Sequence, residues 1–250
     1  MPKTTDVPPS LRVFNSLFEK ISYRHSYSDV YCDFVDYVTA CFSWEGDKEL
    51  ALHLQKKYDK EYPIFGQLFN EWLFVHKKQL EMNQWYDVLG EFYEIVSSSS
   101  KASRLGQFFT PPSLVTLMTQ ITGGKVAAKE RIQDCCSGSG RMLISYHAYF
   151  PGNYTFGADI DSICTKMTAI NMALHGCEGE AVCMNSLNPE DWRFGYRVNP
   201  HIHTIGIPHL VPINKEQSVQ FRYWENRRTA NESEVKEEPK VGKHGQLSFF

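Results

Sequence analysis

The chain has 250 residues, 42% hydrophobic and 22% charged, so it can bury the core of an ordinary folded protein. Its net charge of −3 gives no overall attraction to nucleic acid, so DNA binding would need a local basic patch or a partner. No run approaches the ~20 apolar residues that cross a bilayer, and the polar N-terminus lacks a signal-peptide pattern. The seven cysteines, without C-x-x-C spacing, then indicate reduced thiols in the cytoplasm, no metal site and no membrane partner.

The first hundred residues predict helices rich in aromatic side chains. Val30, Phe34 and Val38 recur at a spacing of four, which places them on one helix face. The same periodicity marks three further helices, at residues 50–58, 65–80 and 85–96. Four serines at residues 97–100 then predict a flexible connector. We therefore expect an α-helical N-terminal domain over residues 1–100.

From residue 104 onward, strand patterns alternate with helix patterns. The predicted elements are a helix at 113–121, a strand ending near Asp134, a helix at 141–149, a strand at 154–157, a helix at 162–175 and a strand at 180–184. Such alternation implies right-handed βαβ units on a parallel sheet. The expected fold class is therefore α/β, with the sheet domain at residues 101–225. Beyond Leu187 the periodicity weakens, and the sheet is expected to be incomplete or rearranged.

Residues 226–245 are highly charged and nearly devoid of large apolar groups. Such a segment cannot bury enough surface to offset the entropy lost on ordering, so residues 226–250 are predicted to be a disordered tail.

A glycine turn joins the first predicted strand to a helix. The sequence from Asp134 reads Asp-Cys-Cys-Ser-Gly-Ser-Gly and includes Gly138, Ser139 and Gly140. The two glycines let the backbone turn sharply and approach a ligand, while the helix N-terminus offers unpaired N–H groups. A tight turn without a ligand would use the same residues.

Polar side chains also stand at the next two strand ends. Asp159, followed by Ile160, lies roughly 20 residues after the glycine turn, where a carboxylate accepts ribose hydroxyls in a dinucleotide-type site. Asn185 ends the third strand, where an amide can pair with an adenine edge or cap a turn. Three polar strand ends in register favour a ligand site.

The same residues carry a family resemblance. Gly-Gln-Phe-Phe-Thr-Pro at residues 106–111 and the glycine turn at 134–140 resemble motifs of N6-adenine DNA methyltransferases of the type I modification-subunit kind. Residues 85–94 and 171–176 are similar to two helices that flank these motifs in the family. The resemblance covers residues 85–188. Cys135 stands where the family has proline and Ser137 where it has cysteine, both small changes.

The resemblance implies a Rossmann-like sheet that binds S-adenosylmethionine and acts on DNA, with a specificity or partner subunit. It implies that a short wall contacts the cofactor: Phe109, Thr110 and Pro111. It further implies that Gly138 to Gly140 pass the methionine moiety, that Asp159 holds the ribose and that Asn185 lies near the adenine.

This chain departs most from the family in the catalytic motif. Family members use Asn-Pro-Pro-Tyr or Asn-Pro-Pro-Phe, which accept hydrogen bonds from the adenine amino group and stack on the flipped base. The candidate here is Asn199-Pro200, which lacks the second proline and the aromatic ring. The alternative that we favour is that Asn199 and Pro200 form only a turn. Methyl transfer is therefore not expected to be efficient.

The C-terminal peptide Gln-Leu-Ser-Phe-Phe resembles the short segment by which bacterial DNA-processing proteins bind the sliding clamp. Its candidate clamp-binding residues are Gln246, Leu247, Phe249 and Phe250. A charged tether that ends in bulky apolar groups suits a peptide that docks in a groove. The alternative is a hydrophobic end that folds back on the domain.

Three functions follow from these patterns. The chain is an adenine-N6 methyltransferase with an unusual catalytic motif, or a catalytically inactive module that binds S-adenosylmethionine or DNA. The third possibility is an interaction protein that its tail tethers to the clamp.

Overall fold

The computed structural model describes residues 7–99, 108–123, 129–234, 240–241 and 247–248. Its N-terminal part contains five helices, α1 Arg12–Ser22, α2 Tyr27–Phe42, α3 Lys48–Tyr58, α4 Pro63–Met82 and α5 Val88–Ser99. Short 3₁₀ turns at Pro9–Leu11 and Asp59–Glu61 precede α1 and follow α3.

Local chemistry accounts for the helix starts. Ser26 and Asp47 accept hydrogen bonds from the first turns of α2 and α3, and Pro63 stands at the first position of α4. The apolar faces of these helices then meet in one aromatic cluster, in which Phe14 lies 4.7 Å from Phe92 between ring centroids. The predicted helical region is therefore present in the structure.

Helix α5 corrects the prediction of a flexible connector at residues 97–100. The helix continues to Ser99. The hydroxyl of Ser97 donates to the carbonyl of Glu94, a local bond that a helical serine can make to the preceding turn. The serine run is therefore helical as far as Ser99.

The sheet begins as predicted. Strands β1 Arg131–Asp134, β2 Tyr154–Asp159 and β3 Glu178–Asn185 are parallel, and helices α7 Arg141–Tyr149 and α8 Ser162–Leu174 connect them. Helix α6 Pro112–Gly123 precedes β1 and packs on α7. Strands alternate with helices here because each crossover buries one apolar helix face on the sheet.

The second half of the sheet departs from the parallel prediction. Strand β4 Asn188–Val198 runs antiparallel to β3, and β5 Leu210–Ile213 runs antiparallel to β4. The order in the sheet is β1-β2-β3-β4-β5. The turn between Asn185 and Asn188 is too short for a crossover helix, so the chain can only return as a hairpin. The fold class is confirmed as α/β with a rearranged sheet behind N-terminal helices.

Two further helices are present, a short α9 Ile202–Ile205 between β4 and β5, and α10 Val219–Glu234 after β5. Helix α10 lies on the sheet face opposite α7 and α8, where Phe221 packs beside Trp192. The buried carboxylate of Glu180 accepts the N–H groups of Val219 and Gln220 and so anchors the start of α10.

The prediction of disorder from residue 226 onward is wrong for residues 226–234, which continue α10. Packing of the first turns of α10 on the sheet supplies the stabilisation that the composition of this segment lacks. Two residue pairs, Lys240–Val241 (β6) and Leu247–Ser248 (β7), form an antiparallel bridge. Within the described residues, no helix is long and apolar enough to span a bilayer.

Candidate functional site

The three polar strand ends lie together at the carboxyl edge of the parallel strands. Asp134 pairs in register with Gly157, which pairs with Ala181, so Asp159 and Asn185 extend beyond the same edge. Ligands of open α/β sheets bind outside this edge. The structure thus brings together the strand ends that the sequence singled out.

The glycine turn contacts Asp159 directly. Gly138 has a φ of +55° and Gly140 a φ of +86°, which side chains rarely adopt. The Gly138 N–H donates to Asp159 Oδ2 at 2.8 Å. A Cβ on Gly140 would lie 3.1 Å from Thr168 Cα, so the turn packs closely on α8. Glycine is therefore required at these two positions by the positive φ angles and, at Gly140, by the close packing on α8.

Asp159 is half-buried and only partly used. Its Oδ1 accepts the Asp161 N–H at 2.9 Å, in addition to the bond from Gly138. Burial raises the pKa of Asp159, and backbone N–H bonds from Asp161, Gly138 and Ile160 oppose that rise. A carboxylate has about four acceptor positions, so Asp159 keeps capacity for a further donor. The neighbouring Ile160 is 52% exposed and presents an apolar surface beside the carboxylate.

The flanking strand ends are also half-buried. Asp134 Oδ1 accepts the Cys136 N–H at 3.1 Å, and burial raises the pKa of Asp134. Asn185 Oδ1 accepts the Leu187 N–H at 3.0 Å, and no bond from its amide nitrogen to a described residue is present. Asn185 therefore caps a turn, as one alternative held, and retains a donor that points to no described partner.

The Phe-Thr-Pro segment reaches the glycine turn from the helical side. A Cβ on Gly138 would lie 2.9 Å from Phe109 Cδ1, so the ring packs against this glycine. The Phe109 ring also lies 4.9 Å from that of Tyr93. Thr110 and Pro111 are exposed, and the Thr110 carbonyl accepts from Arg141 at 3.2 Å. The segment is thus fixed beside the turn.

A buried polar cluster behind the turn was missed by the sequence reasoning. Asp87, 5% exposed, precedes α5 and caps it by accepting the Gly90 N–H at 2.7 Å. The same carboxylate accepts from Ser139 Oγ at 2.5 Å, Arg141 Nε at 2.8 Å and Asn171 Nδ2 at 2.7 Å. Asp87 therefore joins the helical part of the chain to the glycine turn.

Arg141 extends this cluster to Glu94. Its guanidinium donates to both Glu94 oxygens at 3.2 Å and lies 5.3 Å from the centre of the Phe109 ring. Burial would lower the pKa of Arg141, but Asp87 and Glu94 outweigh burial and raise it. Arg141 therefore stays charged and holds the glycine turn, α5 and the Phe-Thr-Pro segment together.

A signal for this cluster was present in the sequence. Asp87 and Asn171 lie in residues 85–94 and 171–176, which resemble the flanking helices of the family, but the resemblance implies no role for either side chain. An acid three residues before Gly90, at the start of an apolar helix, has the pattern of an N-cap. Its contacts across 52 to 84 residues of chain could come only from the fold.

A cavity of about 590 Å³ opens on the helical side of this cluster. Its walls include Trp85, Asp87, Glu91, Pro112 and Arg141. The cavity adjoins the Phe-Thr-Pro segment at Pro112, and its lining does not include Asp134, Asp159 or Asn185.

Asn199 and Pro200 lie at the opposite edge of the sheet. Val198 pairs with Gly179, which pairs with Thr155 at the start of the parallel strands. Because β4 runs antiparallel, the residues that follow it emerge at the amino edge. The structure therefore places Asn199 and Pro200 at the edge of the sheet opposite the glycine turn.

The Asn199 side chain is fully used within the chain. It is 0% exposed, its amide donates to the carbonyls of Ala173 at 3.0 Å and Cys177 at 2.9 Å, and its oxygen accepts the His209 N–H at 2.9 Å. Its φ is +52°, which asparagine tolerates in turns. The residue thus forms a turn, the alternative that the sequence favoured.

The cysteines and the possible metal ligands are the candidates for a metal site in the described residues. All seven cysteines are free. Among the described residues, no three His, Cys, Asp or Glu side chains are arranged to hold a metal ion.

One of the four tail residues lies in a described element. Leu247 lies in the β7 bridge, whereas Gln246, Phe249 and Phe250 fall outside the described residues.

Comparison with known proteins identifies the family. No curated protein matches the chain. One similar solved structure is the type I restriction-modification system methyltransferase subunit from Streptococcus thermophilus, at 21% identity and a TM-score of 0.34. The match covers 68% of this chain and 38% of that one, so the chain spans well under half of the subunit's length. The model of the N-6 DNA Methylase family matches residues 84–235, more than half of the sequence. The chain therefore belongs to the N-6 DNA methylase family.

Proposed function

We propose that this chain binds S-adenosylmethionine at the carboxyl edge of its parallel strands and does not by itself methylate DNA. The observation that carries the proposal is the contact between Asp159 and the Gly138 N–H, with Asn185 at the adjoining strand end. The proposal places the protein in the cytoplasm, on DNA, beside a specificity or partner subunit.

The residues at this edge fit the cofactor. Asp159 keeps acceptor capacity for a ribose hydroxyl, and the Asn185 amide can donate to an adenine ring nitrogen. Gly138 to Gly140 lie in a turn before α7, and the proposal places the methionine moiety beside them, as glycine-rich turns before helices bind ligands in nucleotide sites. Phe109, Thr110 and Pro111 form the wall on the helical side.

Bound S-adenosylmethionine would supply an electrophilic methyl group on a sulfonium. Transfer to adenine N6 also needs acceptors that orient the amino group and a ring that stacks on the base. Asn199, the candidate acceptor, lies at the far edge of the sheet with all three of its hydrogen bonds made inside the chain. The chain's own residues thus account for cofactor binding and not for base orientation.

Isothermal titration of the full chain with S-adenosylmethionine tests cofactor binding. We expect saturable binding by the native chain and at least about tenfold weaker binding by Asp159→Ala, since hydrogen bonds to a charged group contribute roughly 1.5–3 kcal/mol. The matched control is Asp191→Ala, which removes an exposed carboxylate from β4. Absence of binding to the native chain, or equal loss in both variants, would refute the proposal.

An assay for the transfer of a labelled methyl group to DNA tests the claim that the chain does not by itself methylate DNA. We expect no transfer by the chain alone. Transfer that disappears in a folded Asn199→Ala variant would instead support the methyltransferase alternative.

The clamp-binding tail stays a prediction. A charged segment that ends in Gln246, Leu247, Phe249 and Phe250 has the chemistry of a tethered docking peptide. Deletion of residues 246–250 should abolish binding to a purified sliding clamp. Unchanged binding, or none by the native chain, would contradict it.

A further inference from the structure

A small cavity lies between helix α10 and the neighbouring strands β1 and β2. Its volume is about 170 Å³. We call it the α10 pocket, and its lining consists of Arg131, Gln133, Phe156, Val219, Gln220 and Tyr223. The pocket combines an apolar ring, a positive charge and two side-chain amides.

The α10 pocket is separate from the proposed cofactor edge. A Cβ on Gly157 would lie 2.6 Å from a methyl group of Thr168 on α8, so Gly157 faces α8 and its neighbour Phe156 faces the other side of the sheet. The lining includes neither Asp159 nor Asn185. A ligand in this pocket would therefore be a second ligand, and its binding does not depend on the proposed function.

One wall of the pocket holds a buried hydrogen-bond acceptor without a partner. Gln220 is 6% exposed, and its Nε2 donates to the carbonyls of Gly157 at 3.2 Å and Glu180 at 3.5 Å. Reversing the amide would place its oxygen against both carbonyls, so these bonds fix its orientation. Gln220 Oε1 then has no hydrogen-bond partner among the described residues. A ligand that donates an N–H to this oxygen would satisfy it.

An exposed aromatic ring stands beside this acceptor. Tyr223 follows Gln220 by three residues on α10, lines the same pocket and is 52% exposed. The guanidinium of Arg227, one turn further along, lies 5.9 Å from the centre of the Tyr223 ring. Phe156 forms the buried part of the lining. A planar ligand can therefore stack on Tyr223 while it contacts Gln220.

The charge around the pocket favours an anion. Arg131 and Arg227 are exposed, and neither forms an ion pair with a described carboxylate. The carboxylate of the nearby Glu180 already accepts the N–H of Val219 and pairs with Arg197. A guanidinium is well suited to a phosphate group, which it can bind through two parallel hydrogen bonds.

We propose that the α10 pocket binds a mononucleotide, with the base stacked on Tyr223 and donating an N–H to Gln220 Oε1, and with the phosphate at Arg131. Size agrees with this arrangement. Cavities that enclose a whole small ligand measure roughly 300–1,000 Å³, so the α10 pocket takes one ring and leaves the phosphate outside.

A free nucleotide fits better than a nucleic acid strand. A strand is held by several phosphate contacts, and two arginines supply few of them. The next surface along α10, around Phe221, carries more acidic than basic groups: Glu190, Glu216 and Glu225 against Lys215 and Arg222. A strand that extended beyond the pocket in that direction would meet this excess of negative charge.

Calorimetric titration of the full chain with the monophosphates of adenosine, cytidine, guanosine and uridine tests the proposal. We expect saturable binding of at least one of them. Tyr223→Ala should weaken that binding at least about fivefold, since it removes the stacking surface. The matched control is Tyr23→Ala, which removes a tyrosine that is 82% exposed at the end of α1 and should leave the affinity unchanged.

A second variant separates phosphate recognition from a folding defect. Arg131→Gln should weaken binding of the nucleotide about tenfold and leave binding of the corresponding nucleoside unchanged, because only the nucleotide carries the phosphate. A misfolded variant would lose both ligands equally. Circular dichroism should match the native chain in all three variants.

Four results would overturn the proposal. The first is a native chain that binds none of the four monophosphates, and the second is binding that Tyr223→Ala and Tyr23→Ala weaken equally or not at all. The third is binding that Asp159→Ala abolishes and Tyr223→Ala leaves intact, which would place the nucleotide at the cofactor edge. The fourth is tighter binding of a short single-stranded oligonucleotide than of every monophosphate, which would replace the free nucleotide by a strand.

Discussion

Two asparagines at opposite ends of the sheet show how the same side chain takes different roles. Asn185 ends a parallel strand, is half-buried, and has an amide nitrogen without a described partner. Asn199 ends an antiparallel strand, is 0% exposed, and makes three hydrogen bonds inside the chain. A polar group that the chain itself satisfies stabilises the fold, whereas a group with unused capacity at a strand end can bind a ligand.

Asp87 offers the largest test of this contrast, because it is the most fully satisfied carboxylate near the site. Replacement by alanine would leave the buried Arg141 without its main partner and remove the cap of α5. We expect Asp87→Ala to lower the free energy of unfolding by about 3–5 kcal/mol. Urea denaturation measures the change, and Asp191→Ala should shift it by no more than about 0.5 kcal/mol. Equal shifts in the two variants would break the comparison.

Asn199→Ala tests the saturated asparagine directly. It leaves two buried carbonyls and one N–H without partners and puts alanine at a φ of +52°. Since each unsatisfied buried group costs about 1–3 kcal/mol, we expect a loss of about 3 kcal/mol of unfolding free energy. Binding of S-adenosylmethionine should stay unchanged below the new unfolding transition. A stable variant that no longer binds the cofactor would contradict the structural role.

A buried and unsatisfied group should behave differently again. His76 is 4% exposed, and neither ring nitrogen has a hydrogen-bond partner in the described chain. Burial, then the nearby His175, lowers the pKa of His76 from 6.5 to about 3. Burial likewise lowers the pKa of His175 to about 4.

The sign of the pH dependence follows from these values. The unfolded chain takes up protons on both histidines below pH 6.5 and the folded chain does not, so stability falls as the pH drops from 6.5 toward 4. His76→Phe should reduce this slope by about one proton, or roughly 1.4 kcal/mol per pH unit, in denaturation series at several pH values. A slope identical to that of the native chain would contradict the assignment.

The smallest expected effect belongs to Asn185→Ala. Because its side chain makes one exposed hydrogen bond, we expect unfolding to change by less than about 1 kcal/mol. Affinity for S-adenosylmethionine should fall by about threefold to tenfold, the value of one hydrogen bond. Calorimetric titration of both variants, Asn185→Ala and Asn199→Ala, with S-adenosylmethionine measures this difference. Weaker binding by Asn199→Ala than by Asn185→Ala would contradict the prediction.

Local patterns predicted much of this molecule. The bounds of α7 match the predicted helix at 141–149, and α8 begins at Ser162 as predicted, because Asp161 caps it. Polar residues at Asp134, Asp159 and Asn185 meet at one edge, as parallel strands require. The helix predictions rest on residues that are close in sequence. The shared edge follows because consecutive βαβ units place their strands parallel in one sheet.

Predictions failed where distant contacts decide the outcome. Residues 226–234 have the composition of a disordered segment, yet they continue α10, whose first turns are anchored by Glu180 and Phe221. Asp87 has the pattern of a helix cap, but its bonds to Ser139, Arg141 and Asn171 join segments more than fifty residues apart. A local sequence pattern does not predict contacts between elements that are this far apart in the chain.

The sequence by itself determined the parallel half of the sheet, the glycine turn and the edge at which Asp134, Asp159 and Asn185 gather. Only the tertiary structure decided the direction of β4, which follows from the short turn at Asn185–Asn188 and from the packing of the returning strand against β3. That one reversal places Asn199 at the amino edge. The physical reason is that hydrogen-bonding partners across a sheet, unlike helix caps and turns, depend on which strands meet.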